Sequence, residues 1–204
     1  MGAPRIRAAA HTEQAYMNTL VQPAPAWLPV AANAVGFNIV WAVTVFGAAG
    51  GLPWAGPAAL LVFATIQVSM ATRPRYDLAA MAVFATAGLL IDSAWSLSGA
   101  LTYAAGWPSP QLAPVWLVSL WASFSLTLGH SLAWLRPRPA LAALFGLMGG
   151  GFSYWVGARV GAVELAMPGW IYAVAVGLCW AVALPALIRV TARIARPRSP
   201  AYAT

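Results

Sequence analysis

Six long apolar runs, parted by short polar connectors, decide what this chain can become. They cover Pro29–Gly50, Leu52–Ala71, Leu78–Leu97, Leu112–Leu135, Ala140–Val160 and Gly169–Ile188. A helix rises about 1.5 Å per residue, so a run of about 20 residues crosses a hydrocarbon core of about 30 Å. Backbone polar groups find no water inside lipid, and a helix satisfies them within the segment. A soluble alternative fails on charge: 7% of residues are charged, against about 25% in a soluble domain, and mean hydropathy is +0.75. The expected fold class is all-α, an integral membrane bundle of six transmembrane helices forming one domain over residues 27–190. Residues 1–26 read as a cytoplasmic N-terminal tail with a short surface helix around Tyr16–Val21, and residues 191–204 as a basic cytoplasmic C-terminal tail.

The arginines orient the bundle. All eleven basic residues are arginine. Arg5 and Arg7 precede the first run, Arg73 and Arg75 follow the second, and Arg136 and Arg138 follow the fourth. Arg189, Arg193, Arg196 and Arg198 close the sixth. With six spans these all fall on one side, which is then cytoplasmic, so both termini lie inside (N-in/C-in) and only Arg159 lies opposite. Three Arg-Pro-Arg triplets, at 73–75, 136–138 and 196–198, each close a pair of spans. They suit a tandem array of helical hairpins, but the plainer reading is that every even span needs a cytoplasmic anchor.

The same pattern excludes several function classes. The net charge of +7 sits at span ends rather than along a helix face, which argues against a nucleic-acid partner. Arg5 and Arg7 precede a polar stretch, not the apolar core of a signal peptide. Cys179 is the single cysteine, so no internal disulfide is available, and with two histidines no metal site is expected. Phosphate-binding glycine loops, nucleophile elbows and zinc-protease helices are absent from the sequence, and no cofactor is expected.

Ionisable groups inside a span cost about 2.5 kcal/mol or more, so they are the first place to look for function. Asp92 and His130 qualify, and both are catalytic candidates. Counting from the cytoplasmic ends puts Asp92 about 21 Å deep and His130 about 7 Å deep, too far apart for a direct pair. Ser123, Ser153 and Tyr154 fall level with Asp92, and Asn33 and Gln67 level with His130. Two polar layers of this kind suit a solute path or a lipid headgroup site. Along the fourth run, Trp116, Ser119, Ser123, Thr127, His130 and Trp134 share about 80° of one helical face. They either line a ligand path or bond back to their own helix carbonyls. In the fifth run, Gly149, Ser153, Gly157 and Gly161 form a small-residue ridge, and Gly149-Gly150-Gly151 either serves close packing or breaks the helix at a binding site. Asp92 shares a face with Gly88 and Ser96, with Trp95 beside it. It is expected to face the interior and bond a hydroxyl on the fourth or fifth span, Tyr154 first. Trp27, Trp54, Trp107, Trp134 and Trp170 fall at interfaces, whereas Trp41, Trp95, Trp121, Trp155 and Trp180 fall deeper, as a belt and an interior set.

The chain resembles a family of small bacterial inner-membrane proteins grouped as a domain of unknown function, over roughly residues 35–190. The resemblance rests on Gly51-Leu-Pro-Trp54, Asp92 after Gly88, Leu120-Trp121-Ala-Ser-Phe124, Thr127, His130-Ser-Leu-Ala-Trp134, Gly149-Gly-Gly-Phe-Ser-Tyr154, and Gly157 to Gly161-Ala162. It implies a multi-pass protein of the bacterial inner membrane and transfers no catalytic residue. Members of that family are encoded near lipid-modifying genes, such as those for cyclopropane fatty-acid synthases, which implies a lipid connection. The leading expectation is a bundle that binds or helps modify a membrane lipid or other hydrophobic substrate. Its ligand-binding set is Ser119, Ser123, Thr127, Ser153, Tyr154, Asn33, Gln67, Trp95 and Trp121, and its partners are membrane lipids. Two alternatives stand beside it: a small-solute transporter acting as a dimer, and a non-catalytic accessory subunit of a larger membrane complex.

Overall fold

The structure, a computed structural model, describes residue 25 and residues 27–195. The expected surface helix at Tyr16–Val21, with Arg5, Arg7, Arg196 and Arg198, lies outside the described residues. Among the described residues six α-helices follow in order: α1 (Trp27–Ala49), α2 (Ala55–Ser69), α3 (Pro74–Leu97), α4 (Val115–Ser125), α5 (Pro139–Arg159) and α6 (Gly169–Ile194). Strands β1 (Leu101–Tyr103) and β2 (Val163–Leu165) lie in the connectors after α3 and α5, and Ala133–Leu135 forms a 3-10 turn. Helix starts follow proline chemistry. Pro74 and Pro139 take a first-turn position, where a missing N–H costs nothing. Gly51, at φ +78°, supplies the left-handed residue that turns α1 into α2.

Helices α1, α3, α5 and α6 are long and apolar enough to cross a membrane. Helices α2 and α4, with 15 and 11 residues, span about 22 and 16 Å. The fourth apolar run is therefore not one helix to Leu135, which corrects the sequence expectation. After Ser125 the backbone tightens into successive turns, with Leu126 N–H donating to Ser123 O, Leu128 to Ser125 O and His130 to Thr127 O. Hydroxyls promote the change: Ser125 and Thr127 donate to Ala122 O and Phe124 O, three residues back. Asn33 from α1 then takes over the freed groups. Its Oδ1 accepts Ser131 N–H at 3.1 Å and Ser131 O–H at 2.6 Å, and its Nδ2 donates to Leu126 O at 3.5 Å. The irregular segment is protein-covered, with Leu126 and Leu128 fully buried, as a backbone without helical bonding requires in an apolar medium.

Helix α4 is central. It packs against α1, α2 and α3; α3 continues to α6, and α6 lies along α5 in the most extensive helix pair. The ring stays open between α1 and α5, which do not pack along their lengths. A central helix is buried on every side, so α4 buries Trp116, Leu117, Leu120 and Trp121 together with Ser119 and Ser123. The α5–α6 contact is made by glycines. A β-carbon at Gly150 would overlap the Trp180 ring, one at Gly146 the Trp180 carbonyl, and one at Gly177 the Leu147 carbonyl. The packing ridge is thus Gly146-Gly150, one residue away from the expected Gly149-Ser153-Gly157 line. Helix α5 runs unbroken through Gly149-Gly150-Gly151, so of the two readings of this triplet the helix break does not occur.

A small antiparallel sheet adds to the helices. Leu101 pairs with Leu165, Thr102 with Glu164 and Tyr103 with Val163. The connectors after α3 and α5 therefore meet at one end of the molecule. Between them the chain must travel away through α4 and return through α5.

Candidate ligand cleft and the buried Asp92 cluster

Asp92 lies on α3 one turn after Gly88, where a β-carbon would collide with the Trp121 indole. The missing side chain lets that ring reach the carboxylate. Trp121 Nε1 donates to Oδ2 at 2.6 Å, while the Tyr154 and Tyr103 hydroxyls donate to Oδ1 at 2.5 and 3.0 Å. Asp92 is 1% exposed and acts as acceptor for three donors drawn from α4, α5 and β1. The indole N–H can only donate, so this geometry leaves the carboxyl the single acceptor that joins the three elements. Burial, with the Asp92 carboxylate beside it, pushes the Tyr103 phenol above its ordinary range and keeps it a neutral donor. The expected Asp92–Tyr154 bond is present. Tyr103 and Trp121 as partners are additions, and Ser123 does not take part.

The polar residues nearer the arginine-bearing end form a second, separate cluster. Asn33 Nδ2 donates to Gln67 Oε1 at 2.7 Å and ties α1 to α2. His130 Nε2 lies 3.1 Å from Asp77 Oδ2, fastening the start of α3 to the segment after α4. Asp77 packs on Gly129, where a β-carbon would overlap its carboxylate. Arg136 sits over the Tyr76 ring at 5.0 Å. His130 and Asp92 thus belong to different clusters, as their depths require.

Between α1 and α5, with α4 as its floor, lies a cleft of about 350 Å³. Aromatic rings wall it, among them Phe37, Trp41, Trp121, Phe124, Phe152 and Trp180. Trp121 stacks on Trp180 at 4.1 Å, and Phe124 meets Trp180 edge-on. None of the lining side chains is Arg, His, Asp or Glu among the described residues. Its volume falls within the range of about 300–1,000 Å³ that small-molecule sites occupy. Tyr154 and Trp121 both line the cleft, and Asp92 stands directly behind them. Across the opening, Trp41 Nε1 donates to Ser153 Oγ at 2.8 Å, joining α1 to α5.

Residues 30–186 match the family described as Protein of unknown function (DUF2878). The chain belongs to that family. No curated protein and no solved structure matches it. Family membership supplies no activity, so the chemistry of this member is read from its own side chains.

Of the ligand-binding set read from sequence, Thr127, Ser153, Tyr154 and Trp121 line the cleft. Ser119 and Ser123 instead donate to Val115 O and Ser119 O of their own helix, at 2.7 and 2.8 Å. The stripe expected on one face of the fourth run is broken, because Thr127, His130 and Trp134 follow the end of α4. Trp95 lies against Tyr172, away from the cleft, and Asn33 with Gln67 belongs to the second cluster. Sequence reasoning passed over Tyr103, Asp77 and Ser131. Asp77 sits near the start of a helix, where a carboxylate ordinarily faces water. Tyr103 is placed by pairing between two connectors about sixty residues apart, which has no short-range signal.

Proposed function

We propose that this chain is a six-pass membrane protein, with its arginine-bearing end in the bacterial cytoplasm, that holds a membrane lipid or other uncharged hydrophobic molecule in the cleft between α1 and α5. The observation that carries the reading is the aromatic, charge-free cleft standing open between two helices that do not pack together. An apolar cleft on a surface otherwise suited to lipid is reached sideways, by a molecule already dissolved in the bilayer. Six passes are supported by the pairing of β1 with β2, which demands a round trip through α4 and α5. Arg73, Arg75, Arg136, Arg138, Arg189 and Arg193 then gather at the opposite end, as the positive-inside rule expects. Trp27, Trp54, Trp107, Trp134 and Trp170 are all exposed and fall where interfacial belts would lie.

The transporter alternative has less support. The discontinuous segment after α4 has backbone groups taken up by Asn33 rather than left for a solute. The accessory-subunit alternative has less support too: α6 covers Gly146 and Gly150 inside the same chain, and Gly149, Ser153 and Gly157 line the cleft.

Lipid analysis of the purified protein tests the reading. A bulky residue at Gly149 would project into the cleft, because a β-carbon there meets only the edge of Phe145 at 3.8 Å. Mild detergent extraction should retain a bound apolar molecule in the wild type and lose it in Gly149→Trp, with helicity unchanged by circular dichroism. Equal retention by both proteins, or none in either, would sink the proposal.

A further inference from the structure

Ser153 lies on the wall of the cleft with its hydroxyl oxygen turned away from its own helix. Ser119, Ser123 and Thr65 each donate to the carbonyl four residues back, the default for a hydroxyl with no water nearby. Ser153 makes no such bond to Gly149 among the described residues. Its oxygen is turned across the cleft and accepts the Trp41 indole N–H at 2.8 Å. The Ser153 proton is then left without an acceptor among the described residues, on a wall of an otherwise apolar cavity. Two donors, the Trp41 N–H and the Ser153 O–H, stand within one hydrogen-bond length of each other at this point.

Building on the cleft reading above, we propose that Trp41 and Ser153 form the recognition point for a carbonyl oxygen of an uncharged ring ketone of the quinone type. A carbonyl oxygen accepts the Ser153 O–H that the Trp41–Ser153 bond leaves free, and its second lone pair can take the Trp41 N–H in place of Ser153 Oγ. Charge on the ligand is excluded by the lining, which offers no ionic partner in a setting where an unpaired charge is costly. Size points the same way. A cleft of about 350 Å³ lies at the lower end of ligand sites, taking one ring and a short tail rather than the paired chains of a glyceride. Flat partners are at hand in Phe37, Trp41 and Phe152, whose faces favour a planar ring by offset or edge contact.

The test uses the full-length protein in nanodiscs, with tritiated decylubiquinone as probe and dioleoylglycerol as competitor. Decylubiquinone should bind saturably. Trp41→Phe, which keeps the ring and removes the N–H, and Ser153→Ala should each weaken it by about three- to tenfold, the worth of one neutral hydrogen bond. Dioleoylglycerol should not displace it. Decylubiquinone binding that is unaltered in both variants, or displacement by dioleoylglycerol, overturns the carbonyl assignment while leaving the cleft reading standing. Loss of all saturable binding in the wild type while lipid still co-purifies does the same. If Gly149→Trp retains lipid as the wild type does, the cleft reading itself fails.

Discussion

At the residue scale the decisive group is Asp92, an acceptor that three buried donors share. Removing it as Asp92→Ala leaves the Trp121 N–H and two tyrosine hydroxyls without a partner, at about 1–3 kcal/mol for each orphaned group. Thermal unfolding in detergent should show a loss of about 3 kcal/mol or more. Asp92→Asn keeps the shape and a carbonyl oxygen for the tyrosines but turns an N–H donor toward the Trp121 N–H. It should cost about 1–2 kcal/mol, and adding Trp121→Phe to Asp92→Asn should recover part of that cost. A double variant no more stable than Asp92→Asn would show that the indole is not the group in conflict. Tyr154 and Trp121 line the cleft and hydrogen-bond Asp92 behind it, so on the cleft reading Asp92 would act on a ligand only through them.

At the element scale the glycine run of α5 offers a sharper contrast than any charged group. Gly149 and Gly150 are neighbours, yet only Gly150 meets another helix, through the Trp180 ring. Gly149→Ala should therefore be neutral or stabilising by up to about 1 kcal/mol, the helix-propensity gain. Gly150→Ala should lower the melting temperature, because the added carbon has no room. Equal effects at the two positions would contradict the α5–α6 packing. Asn33 is the corresponding test for α4: Asn33→Ala should speed amide exchange at residues 126–132 well before global unfolding.

These elements also mark what could be read from sequence. Helix count, proline starts and the Gly50-Gly51 turn follow from apolar run length and local chain chemistry. The interior position of Asp92 and its bond to Tyr154 follow from equal offsets on parallel helices. The end of α4 was not legible, since it depends on a side chain of α1 nearly a hundred residues away competing for backbone groups. The ridge on α5 was misplaced for a related reason: periodicity gives the spacing of small residues, but only the neighbouring helix selects the face.

At the scale of the whole molecule, the account holds that a ring of helices left open between α1 and α5 admits a hydrophobic molecule from the bilayer. Orientation is checked first. In a Cys179→Ser background, single cysteines at Arg75 and Arg138 should react with an impermeant maleimide only after inside-out vesicles are prepared, and one at Gly106 only in right-side-out cells. The opposite pattern would reverse the topology. The central claim is met most directly by photo-crosslinking in membranes, with an uncharged single-chain lipid, a long-chain alcohol carrying a diazirine. Crosslinked peptides should concentrate on Phe37, Trp41 and Phe152, above the background at the outward-facing Leu61, Val62 and Val182. Gly149→Trp should abolish that excess. Label spread evenly over the outer helix faces, unchanged in Gly149→Trp, would contradict the account.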